Sequence, residues 1–251
     1  MKYEIIKKSI IGKRLEQQDA VDYFRANGFL FAVVCDGMGG MKGGSVASQT
    51  ALACFKELTM NAENLSEDLP EFFLRSIDIM DEAVFRIEDE AGDKMNSGTT
   101  FVALAIKDRS AFWLSVGDSR LYILRDGEIL QVTRDHNYLF TLNQMLSAGV
   151  ISKTEYEEQL FRGDRLTSYL GMGGIEFMDI CQAPFALKSG DYLIITSDGL
   201  YKTLSDEEIQ DIIIDAQSVR VAAERMVDSV LERDRICQDN TSFALIKVME
   251  D

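Results

Sequence analysis

FLFAVVCDGMGG, residues 29–40, holds an unbroken apolar run from Phe29 to Cys35 that stops at Asp36-Gly37. A short continuous apolar run bounded by glycines reads as a buried strand. Asp-Gly is a common turn dipeptide, and a turn is one reading of its end. A carboxylate followed by a glycine with an unhindered carbonyl can also offer oxygens to two hard cations. The same pattern recurs in Ser197-Asp198-Gly199, after the apolar run within Asp191–Thr196, and in Asp239-Asn240, just before a final strand at Ser242–Val248. A fourth acidic stretch, QQD, ends at Asp19. Carboxylates at strand ends with no Lys or Arg beside them repel one another unless a positive charge, commonly a divalent cation, sits between them. The sequence thus predicts a metal site assembled from distant segments.

Outward from this strand, Tyr3–Ile11 alternates like a strand, and Gly43 to about Leu58 reads as a helix opened by a Gly/Ser segment. A longer amphipathic helix runs from about Leu69 to Glu90, with Phe72, Phe73, Ile77, Met80, Val84 and Ile87 at core spacing. Thr99–Ile106, Ala111–Val116, Arg120–Arg125 and Glu128–Val132 read as an antiparallel meander, with Asp126-Gly127 turning between the last two. Residues 137–177 are the least regular part. After Asp198, two helices are expected, with Ser205 and Asp206 near the start of the first. Strands grouped around two long helices, then a strand, two helices and a closing strand, suggest two sheets packed face to face with helices outside, an α+β fold.

The 251 residues carry a formal net charge of −16, which argues against nucleic acid or an anionic membrane as partner, since both need a positive footprint. An acidic protein acting on an anionic substrate needs metal ions to reverse the local field. No apolar run is long enough to span a bilayer and the first residues lack a secretory pattern, so a cytoplasmic, single-domain protein is expected. Cys35, Cys54, Cys181 and Cys237 have no CxxC spacing and read as reduced, mostly buried thiols; with the single His136, a zinc site is not supported.

Several motifs have competing readings. The cluster Gly37, Gly39, Gly40, Gly43, Gly44 invites a phosphate loop, but Ser45 follows Gly44 where Lys is needed, and Lys42 lies inside the loop. Cys35 as a thiol nucleophile lacks its arginine, because position 41 is Met41. In SVGDSR (115–120), Arg120 is either a salt-bridged hairpin residue or a substrate contact. His136 reads as a hydrogen-bonded positioning residue and Trp113 as core.

The motifs RLEQQDA (14–20), VVCDGMGG (33–40), SGTT (97–100), SVGDSR (115–120), TRDHN (133–137), LIITSDGL (193–200) and DNTSFALI (239–246) resemble, in order and spacing, those of the metal-dependent protein phosphatases of type 2C. The match covers essentially the whole chain and looks like the compact bacterial form. The resemblance implies a four-layer αββα sandwich with a two-metal centre at one end, formed by residues 1–251 as one catalytic domain with a variable flap at about 138–170. By position, Asp36, Asp198 and Asp239 resemble the carboxylate ligands, with Asp36 bridging and the Gly37 carbonyl on the second ion. Asp118 matches the aspartate that, with Asp198, can hold a third, looser ion. Asp19 resembles the carboxylate that orients metal-bound water, and Arg14 the arginine that grips phosphate. Gln18 stands where the family has a metal-facing Glu, and Met38 where some members have a histidine.

The implied reaction is hydrolysis of phosphoserine or phosphothreonine by direct attack of hydroxide held between two Mn²⁺ or Mg²⁺ ions, on the targets of a Ser/Thr kinase, by a monomer. Two other readings are a catalytically silent module that binds a kinase or phosphoprotein, and a hydrolase of small phosphate esters.

Overall fold

Alternation along one strand sets the layers. The computed structural model describes residues 2–40, 42–63, 65 and 68–250, so Met41 lies outside the described residues. The chain begins with β1 (Tyr3–Ile10), β2 (Asp19–Ala26) and β3 (Phe29–Gly39), then helices α1 (Gly43–Asn61) and α2 (Leu69–Phe85). A meander follows: β4 (Ser97–Thr99), β5 (Phe101–Lys107), β6 (Ser110–Val116), β7 (Arg120–Arg125) and β8 (Glu128–Gln131). Next come α3 (Tyr138–Ser147), α4 (Lys153–Gln159), β9 (Asp179–Ile180), β10 (Phe185–Ala186) and β11 (Tyr192–Thr196). The chain closes with α5 (Asp198–Tyr201), α6 (Asp206–Ile214), α7 (Val219–Glu232) and β12 (Thr241–Val248).

One sheet is ordered β1-β12-β11-β7-β8 and the other β10-β6-β5-β3-β2, with β4 beside β3 and β9 beside β6. On β3, Phe29, Phe31, Val33 and Cys35 pack toward α1 and α2, where Phe55 meets Phe31 and Phe101 at ring-centroid distances of 5.7 and 5.1 Å. The alternate residues Leu30, Ala32 and Val34 pack against Leu121, Leu193, Ile195, Ala244 and Ile246 of the facing sheet. The outer face of that second sheet, including Tyr122, Ile194, Phe243 and Leu245, is covered by Ile209, Ile213, Ala222 and Met226 of α6 and α7. Helices, sheet, sheet and helices form the expected four layers. Each large apolar side chain buried in them contributes roughly 1.5–3 kcal/mol.

Local chemistry shifted some boundaries. The second long helix stops at Phe85, not near Glu90, because the Asp89 carboxylate takes the backbone N–H groups of Ala91 and Asp93 at 2.8 and 3.0 Å and winds a turn instead. Strand β2 escaped the pattern reading: Ala20, Phe24 and Ala26 are buried, but Asp22 interrupts the run and pairs with Lys7 and Lys56. The expected strand Thr99–Ile106 is split at Thr100, whose side chain is committed to Asp36. A short helix, α5, also precedes the two expected after Asp198. All four cysteines are free thiols; Cys35 and Cys181 are buried, Cys54 is partly buried and Cys237 is exposed. Trp113 is partly buried, packing against the inter-sheet core with its ring centroid 6.2 Å from that of Phe185. No helix among the described residues is long and apolar enough to cross a membrane.

Candidate active site

Strand pairing gathers the acidic motifs at one end of the sandwich. Asp19 opens β2 directly opposite Asp36 on β3, while Thr196 at the end of β11 pairs with both Arg120 and Phe243. Ile10, at the end of β1, pairs with Thr241, which places the loop carrying Arg14 beside Asp239.

The backbone of Asp36 is clamped by SGTT. Its N–H donates to Thr100 Oγ1 at 2.9 Å, and its carbonyl accepts from Thr100 N–H at 2.9 Å and from Thr99 Oγ1 at 3.0 Å. Gly37 has no room for a side chain: a Cβ there would lie 2.0 Å from the Gly44 carbonyl oxygen and 2.5 Å from that of Gln18. This close approach sets the start of α1 against the end of β3. Gln18 donates its N–H to Asn240 Oδ1 at 2.8 Å, and its side chain stands against Gly44.

Asn240 staples the two ends of the chain. Its Nδ2 donates to the carbonyls of Ile11 and Glu16 at 2.8 and 3.1 Å, fixing the loop between β1 and β2. From that loop Arg14 Nη2 donates to Asp239 Oδ2 at 2.6 Å, with its guanidinium half-exposed. Asp198 begins α5 and accepts from Lys202 Nζ at 2.8 Å. Ser197, just before it, donates to Asp19 Oδ2 at 2.8 Å.

Asp118 sits in the β6–β7 turn. Gly117 has φ +100°, and a Cβ would meet the Thr100 side chain at 2.7 Å, so the turn requires glycine. His136 holds this turn: its Nδ1 accepts from Gly117 N–H at 3.1 Å and its backbone N–H donates to the Gly117 carbonyl at 2.9 Å. Burial lowers the imidazole pKa, which suits a neutral acceptor. Arg120 is salt-bridged, through a two-pronged bond to Asp135 at 2.9 and 2.7 Å, with the guanidinium stacked on the Tyr201 ring. Tyr201 in turn donates to the Asp118 carbonyl at 3.0 Å.

Asp19, Asp36, Asp118, Asp198 and Asp239 therefore converge, while Gln18 borders them. The supporting residues Thr100, Ser197, Asn240 and Lys202 were not legible as such. Three of them lie inside the quoted motifs, but nothing in the sequence shows which backbone group each would hold.

The electrostatics follow from crowding. Burial, then Asp19, Asp198 and Asp118, push the Asp36 carboxyl well above its ordinary range, and its carboxyl lies in hydrogen-bond contact with that of Asp198. Burial and the neighbouring carboxylates push Asp19 and Asp118 up to about 7, opposed by the Ser197 hydroxyl at Asp19 and by Lys202 at Asp118. Asp19 Oδ1 is buried without a hydrogen-bond partner. Among the described residues no group of three or more acidic, His or Cys side chains is already set as a ligand shell: Arg14 holds Asp239, and Lys202 lies between Asp198, Asp118 and Asp164. A partly buried all-oxygen donor set with an orphaned carboxylate oxygen and two carboxyls in contact nevertheless fits hard divalent cations.

One expected result arises here. With the folded pKa of Asp19 and Asp118 raised above the unfolded value near 3.8, the folded state binds more protons, so its stability falls as pH rises from about 4 to about 7. In chelator, the melting temperature at pH 7.5 should be lower than at pH 5 by roughly 4–8 °C, the equivalent of ~2 kcal/mol. Asp19→Asn should flatten that slope, as read by thermal denaturation across pH.

Comparison with known proteins agrees with this geometry. A family model described as protein phosphatase 2C matches residues 7–234. The protein phosphatase PhpP of Streptococcus pneumoniae is 30% identical over 245 residues, covering 95% of this chain and 94% of that protein. Among solved structures, a serine/threonine phosphatase of S. agalactiae superposes with a TM-score of 0.85 at 26% identity, covering 98% of this chain and all of that one. The catalytic domain of the serine/threonine protein phosphatase PstP, solved with two manganese ions, gives a TM-score of 0.78 at 25% identity, with 99% of each chain covered.

Proposed function

The chain belongs to the protein phosphatase 2C family, and from that premise we propose that it hydrolyses phosphoserine and phosphothreonine in proteins at the Asp36 site. The observation that carries this reading is the contact between the Asp36 and Asp198 carboxyls, with Asp19, Asp118 and Asp239 around them and Arg14 alongside.

Asp36, Asp198 and Asp239 and the Gly37 carbonyl would hold two divalent ions, Mn²⁺ or Mg²⁺, with Gln18 beside them. When bound, these supply the positive field that acidifies a water and offsets phosphoryl charge. The Asp36 backbone is fixed by Thr99 and Thr100, so its carboxyl is held in place for such ions. Asp19 accepts a hydrogen bond from the attacking water through Oδ1, its other oxygen being held by Ser197. The water oxygen attacks phosphorus in line, the phosphorus–oxygen bond to the Ser or Thr side chain breaks, and the released oxygen takes up a proton. Met38 has no proton to give, so that proton comes from water. Arg14 swings from Asp239 to the phosphoryl oxygens, whose geometry its planar fork matches.

Residues 138–170, with α3, α4 and the exposed Phe161, form a flap beside the site in a single catalytic domain. Targets of a Ser/Thr kinase, a cytoplasmic location, a signalling role and a monomeric state complete the reading. The purified protein should hydrolyse p-nitrophenyl phosphate and a phosphothreonine peptide with Mn²⁺ or Mg²⁺ and stop in chelator. Folded protein inactive with every metal would instead favour the silent binding module, and turnover of the ester without the peptide would favour a small-ester hydrolase. Arg14→Ala should raise KM by roughly 10-fold or more, the worth of a charge-assisted hydrogen bond, with a smaller change in kcat. An unchanged KM in steady-state kinetics would remove Arg14 from phosphate binding.

A further inference from the structure

The corner of the site around Asp118 is neutralised by the chain itself. Lys202 follows Asp198 by one helical turn, and its Nζ lies 2.8 Å from Asp198 Oδ2, 3.9 Å from Asp118 Oδ2 and 3.5 Å from Asp164 Oδ1 in the flap. The Asp118 side chain is only 6% exposed, so its charge needs a partner close by. The backbone that carries Lys202 is held in place. Its neighbour Tyr201 donates to the Asp118 carbonyl at 3.0 Å and supports the stacked Arg120 guanidinium, which locks α5 against the β6–β7 turn.

A carboxylate pair like Asp118 and Asp198 can be neutralised by a divalent ion or by an ammonium group, and the two exclude each other. An ion at ordinary oxygen-ligand distances, about 2.0–2.6 Å, would need the space Nζ fills and would be repelled by its charge. We infer that Lys202 is a built-in cation between Asp118 and Asp198, so that the chain takes two divalent ions and no third. Asp118 then positions Lys202 instead of ligating metal. This inference rests on the phosphatase reading of the same site.

Equilibrium dialysis of the purified full chain against Mn²⁺ tests it, with the bound metal counted per chain. The wild type should bind about two ions, and Lys202→Ser about three, the added ion being the weakest. Lys202→Arg keeps the charge and should stay at about two, and Lys202→Ser with Asp118→Asn should fall back from about three to about two. Three ions on the wild type, or no added ion on folded Lys202→Ser, overturns the inference and leaves the phosphatase reading standing. Fewer than two ions on the folded wild type overturns that reading and the inference with it. Because the wild-type count decides by itself, a variant that fails to fold does not protect the proposal.

Discussion

Asp36→Asn should reduce kcat/KM by roughly 10³-fold or more while making the metal-free protein more resistant to heat. The substitution keeps the shape of the side chain and every backbone bond to Thr99 and Thr100, so the fold has no reason to change. What it removes is the charge that Asp19, Asp198 and Asp118 repel. Loss of a like-charge partner in a buried cluster relieves the folded state, and a higher melting temperature in chelator follows. Loss of one group that organises transition-state charge is worth about 10²–10³ in rate, and here it also weakens two cations at once. Turnover near that of the wild type would end the two-metal reading. A lower melting temperature in chelator would show that Asp36 is not crowded as described.

Gly37→Ala should damage both stability and activity, although it adds a single methyl group. That methyl would lie 2.0 Å from one backbone carbonyl oxygen and 2.5 Å from another, and neither belongs to a side chain that can turn away. Helix α1 and the Gln18 strand entry must separate, at about 3 kcal/mol, the upper end for overpacking. The melting temperature should fall by roughly 6–12 °C. The carbonyl of residue 37 shifts with them, so kcat/KM should drop about 10-fold or more even at saturating Mn²⁺. Gly40→Ala is the control: nothing stands within 4 Å of a Cβ at Gly40, and its melting temperature should move by about 1 °C or less. Equal shifts in the two variants would mean that the helix does not press on the strand end at Gly37.

The layers were legible because apolar alternation is a local signal: Phe29 to Cys35 points alternately to α1–α2 and to the facing sheet, as an unbroken buried run requires. The acidic site was legible for a different reason. Asp36 lies near the end of β3, which runs on to Gly39, and Asp198 and Asp239 flank β11 and β12; antiparallel pairing brings such ends together. Strand β2 was not legible, because Asp22 looks like a solvated break until Lys7 and Lys56 arrive from elsewhere to pair with it. Arg120 could be read either as a salt-bridged hairpin residue or as a substrate contact, and its partner, Asp135, lies beyond the next strand. Lys202 carries no signal in the sequence; its meaning depends on Asp118 being carried to it by a turn that His136 holds from a third segment. Contacts fixed by one element can be read in advance, whereas those needing several elements to dock cannot.

The Asn240 side chain binds Ile11 and Glu16 across sequence separations of 229 and 224 residues. In terms of folding order, this makes competence a late event. Long-range contacts form only after most of the loop-closure entropy has been spent. On a ribosome releasing the chain from its N-terminus, α1, α2 and their sheet can condense early, while Arg14 waits without Asp239 and the loop around it has no anchor. The growing polypeptide is thus inert toward phosphorylated neighbours until its last strand inserts between β1 and β11, and a folding fault anywhere along the way is felt at the reacting end.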